Sequence, residues 1–225
     1  MSAKPTATAP VRVWDLPTRL FHWSLLAAVV ALFVSGKVGG NAMDWHVRLG
    51  LGAGVLVVFR LAWGLVGGRW SRFASFVKGP VTVWRYLRGQ LPAPAGHNPL
   101  GALSVLALLA VLALQVATGL VADDEIATVG PLNALVPEDW AAWGTRWHKG
   151  PSQTLLLVLV GLHVAAIVFH RLVKKHDLVR PMLTGDQPQP VGTPASRDNA
   201  LSRLSALVLL GLCAAGAVWV ARLGG

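Results

Sequence analysis

The sequence predicts an all-α membrane protein, and three observations carry that reading. More than half of the 225 residues are hydrophobic (54%), and only 13% are charged, where roughly 25% is usual for a soluble domain. Five apolar runs each approach the ~20 residues that a spanning helix needs. Lys and Arg then crowd alternate loops between those runs, as in multi-pass proteins. Mean hydropathy is +0.55. Helices are the natural spanning element here, because lipid satisfies no open backbone groups.

Residues 1–10 read as a disordered N-terminal tail, followed by VRVWDLPTRLFHW. Leu20–Ser35 forms the core of the first span, and Gly36–Asn41 a short glycine-rich turn. Val47–Val66 is the second span and Leu100–Ala122 the third. The fourth is read as one continuous stretch, Trp147–Lys175. A Pro-rich linker then leads to a fifth span, Leu204–Leu223. The domain boundaries follow: a four-helix unit over 11–184, a cytoplasmic linker over 185–200 and a C-terminal transmembrane helix over 201–225. No small-residue cleavage site closes the first apolar run, so it reads as a retained span rather than a signal peptide.

The chain carries 20 Lys and Arg against 10 acidic residues. Basic loops explain that excess better than nucleic acid does, so no nucleic-acid partner is expected. The cations sit before the first span (Lys4, Arg12, Arg19), after the second (Arg69, Arg72, Lys78, Arg85, Arg88) and after the fourth (Arg171, Lys174, Lys175, Arg180). Acids gather in the alternate loops as Asp123, Asp124, Glu125, Glu138 and Asp139. The N-terminus is therefore expected in the cytoplasm. Trp140, Trp143 and Trp147 read as an interfacial aromatic belt. The lone Cys213 leaves no disulfide framework and no attachment site for a c-type haem.

Ionisable side chains inside a membrane are costly and mark functional sites. On this topology His22 opens the first span from the cytoplasmic side, and His46 opens the second from outside. His148 opens the fourth near the outer face, with His163 15 residues deeper. On one continuous helix those two lie about 22 Å apart along the axis and about 60° apart around it. The four histidines thus form two depth-matched pairs, His46 with His148 and His22 with His163. Two imidazoles at equal depth on separate helices suit a haem with both axial positions filled. Zinc suits them less, because its usual four protein ligands are missing at either level. Gly50 and Gly54 follow His46 on its own helix face and leave room for a flat macrocycle, or else serve tight helix packing. The fold expected is a four-helix transmembrane bundle binding two haems, plus a fifth C-terminal transmembrane helix. His97, His170 and His176 are expected in ordinary interfacial or solvated roles, and the third and fifth spans, which lack histidine, as braces.

Four segments together resemble the bacterial cytochrome b561 family, which includes the cytochrome b subunits of nickel–iron hydrogenases. They are VWDLPTRLFHW, WHVRLG with the later FRLAWGLVGGRWSRFASFVKGP, GHNPLG at the third span, and WHKG…GLHVAA. The resemblance covers Val11 to Asp186 and implies a four-helix core with two b haems that exchanges electrons with quinone. It places His22, His46, His148 and His163 at the family's ligand positions. The fifth span departs from that core.

Arg60, 14 residues beyond His46, lies about 21 Å deeper on a helix, at the inner pair's level. A charge there needs a partner, either a haem propionate or the cytoplasmic surface by snorkelling. Arg19 has the same two readings, while Arg48 and Lys149 are candidates for the outer haem's propionates. Function is expected to be electron transfer across the inner membrane, between quinone and a periplasmic redox partner such as a cytochrome c or a hydrogenase or dehydrogenase subunit. Two alternatives stay open: oxidation or reduction of a small molecule such as superoxide at one face, and a non-redox membrane anchor. A second copy of the chain also stays open as a partner.

Overall fold

A computed structural model describes residues 7–91, 94–126 and 128–224. A strand, β1 (Thr8–Arg12), precedes the first span, α1 (Leu16–Val38), and a tight turn leads to the second, α2 (Ala42–Val66). Two short helices on the side expected to face the cytoplasm, here called inner, are α3 (Phe73–Phe76) and α4 (Pro80–Leu87), and they lead to the third span, α5 (Pro99–Val121). A loop on the opposite side, here called outer, runs into α6 (Glu138–Lys149) and then α7 (Pro151–Leu172). The short α8 (Val179–Thr184) and strand β2 (Asp186–Pro190) precede the last span, α9 (Ala200–Arg222). Five of these helical stretches are long and apolar enough to cross a membrane. The molecule is a multi-pass membrane protein built as a helical bundle.

Three spans start on a polar cap of the same design. Asp15, Asn98 and Asn199 each accept a hydrogen bond from the backbone N–H three residues on, at 2.8–2.9 Å. Such caps satisfy one of the donors that the first helical turn leaves open. Asp15 does more. It is fully buried, and its carboxylate also accepts from the Gly68 backbone at 3.0 Å, from Ser71 Oγ at 2.8 Å and from Trp63 Nε1 at 3.3 Å. One side chain thereby ties the start of α1 to the end of α2.

The fourth stretch is not continuous. Gly150, at φ −123° and ψ −99°, breaks it ahead of Pro151, whose ring lacks an N–H and drives the preceding residue out of helical geometry. His148 therefore belongs to the last turn of α6, and not to the helix that carries His163. The rise-per-residue estimate for this pair does not apply across that break.

The expected tail and linker also change. Thr8–Arg12 pairs antiparallel with Asp186–Pro190, Arg12 opposite Asp186. Arg12 then bridges Asp186 at 2.7 Å and Asp198 at 2.9 Å, and Asp198 also binds Arg203 at 3.0 Å. Burial opposes charge on Asp198, but Arg203 and Arg12 hold its carboxyl below the usual range. The part of the expected tail before residue 7 lies outside the described residues.

In the bundle, α1 packs on α2, α2 on α5 and α9, and α5 on α6 and α7. The inner-side core is Phe21, Phe59, Trp63, Leu109 and Ala206, with Leu209, Leu210 and Cys213 of α9 laid against it. The fifth helix is thus a brace on α2. Contact between α1 and α7 is slight among the described residues, so the bundle has a seam on that side.

Candidate haem sites

Both expected histidine pairs meet across helices. The His46 and His148 ring centres are 6.0 Å apart, and those of His22 and His163 are 6.5 Å apart. An imidazole nitrogen binds a transition metal at about 2 Å and the ring centre lies about 1 Å behind it, so two imidazoles on opposite faces of one iron have centres about 6 Å apart. The ring planes cross at 89° in the outer pair and 51° in the inner. Either angle is open to axial ligands, whose planes share the iron–nitrogen axis and turn about it. Among the described residues no three His, Cys, Asp or Glu cluster as metal ligands. A pair is the number that a porphyrin-bound iron leaves to the protein.

The outer pair opens on a cavity of about 940 Å³ lined by His46, His148, Gly50, Gln115, Lys149 and Leu156, among others. His46 Nδ1 lies 3.0 Å from the Leu32 carbonyl and His148 Nδ1 2.8 Å from that of Gln115. A carbonyl oxygen only accepts, so each Nδ1 carries the proton and each Nε2 keeps a free lone pair. That is the tautomer a metal-binding histidine needs, held by an outer partner. Each ring also rests on a glycine of a neighbouring helix. A Cβ at Gly36 would come 3.2 Å from the His46 ring, and one at Gly119 only 2.8 Å from His148 Cε1.

The glycines expected to make room divide. Gly50 faces the cavity, with nothing nearer than Leu32 Cδ2 at 4.0 Å from a Cβ placed there, whereas Gly54 packs on Val116 at 3.2 Å. Among the outer cations Lys149 lines the cavity, while Arg48 stacks over Trp45 at 5.5 Å and does not line it. Arg48 is thus the less suited of the two to the outer site.

The inner level is crowded with unpaired nitrogen. Arg60 is 2% exposed, and neither terminal guanidinium nitrogen has a hydrogen-bond partner among the described residues. It lies over the Phe73 ring at 4.9 Å, so snorkelling to the surface is ruled out. His22 Nδ1 and Arg19 Nε are likewise buried and unpartnered among the described residues. The other end of Arg19 donates to the Leu183 carbonyl, and Trp23 Nε1 donates to that of Met182 at 3.2 Å. These bonds tie α8 to α1.

His97 is a correction. It was expected in an ordinary interfacial or solvated role, but it sits between Trp14 and Phe76, at 4.6 Å from each ring. Burial pushes it down to about 3, with help from the charges of Arg60, His163 and His22. Gln115, Ser152 and Asp15 were not anticipated as site residues either. Polar residues inside otherwise apolar helices were the available signal for Gln115 and Ser152.

A helical bundle with two facing histidine pairs defines a membrane cytochrome of the b type. The model of the prokaryotic cytochrome b561 family matches residues 13–185, and the chain belongs to that family. It is similar to the probable Ni/Fe-hydrogenase 1 B-type cytochrome subunit of Escherichia coli (strain K12), with 21% identity over 84% of this chain and 95% of that protein. It is also similar to the probable Ni/Fe-hydrogenase B-type cytochrome subunit of Bradyrhizobium diazoefficiens, with 22% identity over 79% and 85% of the two chains. No solved structure matches. The protein is a haem b cytochrome that works in electron transfer at a membrane.

Proposed function

We propose that the chain carries electrons across the inner membrane through two b haems, His46 with His148 on the outer side and His22 with His163 on the cytoplasmic side. The carrying observation is the spacing of the two pairs, at 6.0 and 6.5 Å between ring centres. The basic inner loops support an N-terminus in the cytoplasm. The unpaired guanidinium of Arg60 supports a propionate partner at the inner level, and Lys149 one at the outer.

The partners follow from position. Quinone in the membrane is one electron carrier, and a periplasmic redox protein is the other. The names of the two relatives favour a hydrogenase subunit as that protein, and a cytochrome c or another dehydrogenase subunit fits the same acidic outer loops. Opposite charge would speed the encounter. Stopped-flow mixing of membranes with a quinol tests the proposal. Reduction of both haems is the expected result. Haems that ignore quinol and react rapidly with superoxide would replace the proposal with a small-molecule oxidoreductase.

A further inference from the structure

We infer that the two sites are unequal as electron holders: the outer pair gives its electron up more readily than the inner, and Gln115 is the positioning residue that keeps it so. The inference rests on the reading that each pair binds one haem. Two independent features of the surroundings carry it.

The first is the hold on the ligands. Both outer imidazoles donate Nδ1–H to a backbone carbonyl, Leu32 at 3.0 Å and Gln115 at 2.8 Å. That bond makes Nε2 a stronger donor, and a stronger donor favours the more positive, oxidised iron. Gln115 secures one of these bonds from both ends. Its side-chain amide donates to the His148 carbonyl at 3.1 Å, and its Oε1 shares the hydroxyl proton of fully buried Ser152 with the Trp147 carbonyl, 2.7 Å from Ser152 Oγ. This clamp spans the helix break at Gly150, across which no α-helical ladder ties His148 to α7. In the inner pair, His22 Nδ1 has no such partner among the described residues.

The second feature is charge. Arg60, buried and without a hydrogen-bond partner among the described residues, stacks on Phe73, which packs against the core that holds Phe21, the neighbour of His22. A cation in a poorly solvated place favours the reduced iron, which carries one positive charge less. The charged lining of the outer cavity has no such bias, because Lys37 and Lys149 are matched in number by Asp44 and Asp124. Both features point the same way. With a haem held at each pair, these residues would make the inner site the better electron acceptor, and the transfer would need one electron and neither a bond nor a proton.

A redox titration of the haem-loaded protein in membranes, followed by optical and EPR spectra, tests the order. Wild type should show two components. Arg60→Gln should lower the higher one and leave the lower in place, while Arg60→Lys, which keeps the charge, should hold both. Gln115→Met, which keeps the backbone carbonyl but loses the clamp, should raise the lower component and shift its EPR signature. The inference is overturned if Arg60→Gln moves the lower component, or if Gln115→Met at full haem content moves neither. Two components in reverse order overturn the inference alone. One haem per chain overturns the two-haem reading beneath it as well.

Discussion

The two histidine pairs have nearly the same spacing, 6.0 Å outside and 6.5 Å inside, yet their surroundings differ in kind. The outer imidazoles are oriented by hydrogen bonds to carbonyls and by glycines pressed against their rings. The inner level holds buried nitrogens that lack partners among the described residues, Arg60 foremost, with the Phe73 ring against its guanidinium. One site is specified by ligand orientation, the other by charge. With a haem at each pair, identical ligands would leave the protein free to set two different redox centres, since ligand basicity and local charge act on the iron separately.

The largest effect expected comes from the ligands themselves. His46→Ala and His148→Ala should each remove the same spectral component, and His22→Ala and His163→Ala the other, with haem content halved each time. Low-temperature reduced spectra of the four variants decide this. Loss of one common component by His22→Ala and His148→Ala would break the pairing by depth.

Asp15→Ala comes next. It leaves the Trp63, Ser71, Gly68 and Thr18 donors around a buried carboxylate without their acceptor, and should cost about 3 kcal/mol. Heating should release the inner haem well before the outer in this variant, as monitored by the Soret band. Simultaneous release of both would deny Asp15 a local role.

Gly119→Ala should sharpen the contrast from the outer side. Its methyl would press on His148 Cε1 from 2.8 Å, shifting the outer haem's EPR signature and leaving the inner one unchanged. Gly52→Ala is the control, because a Cβ there meets nothing within 4 Å, and a helix then gains about 0.5–1 kcal/mol. An unaltered outer signal in Gly119→Ala would mean that the ring is free to move.

Much of this is legible in the sequence. Span-length apolar runs and loop charge predict the bundle, and four histidines assigned by depth fall into the pairs that the fold brings together. What stayed hidden depends on contacts remote in sequence. Gly150–Pro151 breaks the fourth stretch, but the apolar run on either side masks the break. The strand pair joins residues 8–12 to 186–190 across the whole bundle, and short Pro-containing strands of this kind carry no strong local pattern. Gly50 and Gly54 share a helix face in the sequence, and only the position of α5 shows that one faces the cavity and the other Val116. Gln115 was hidden because a single amide in a brace helix has no meaning until His148 lies beside it.

The smallest effect expected concerns the outer surface. Electron exchange with the periplasmic partner should slow moderately as salt rises from about 0.01 to 0.15 M, since the screening length falls from about 30 to 8 Å. Stopped-flow rates over that series measure it. A rate independent of salt would remove the acidic loops from docking, and leave the two haem sites untouched.

We expect two haems per chain, each held by two histidines. Haem content of the purified protein by the pyridine method, set against protein by amino-acid analysis, tests it most directly, with EPR on the same sample. The expected result is two haems per chain, both low-spin and six-coordinate. One haem per chain, or a high-spin iron at full occupancy, would contradict it.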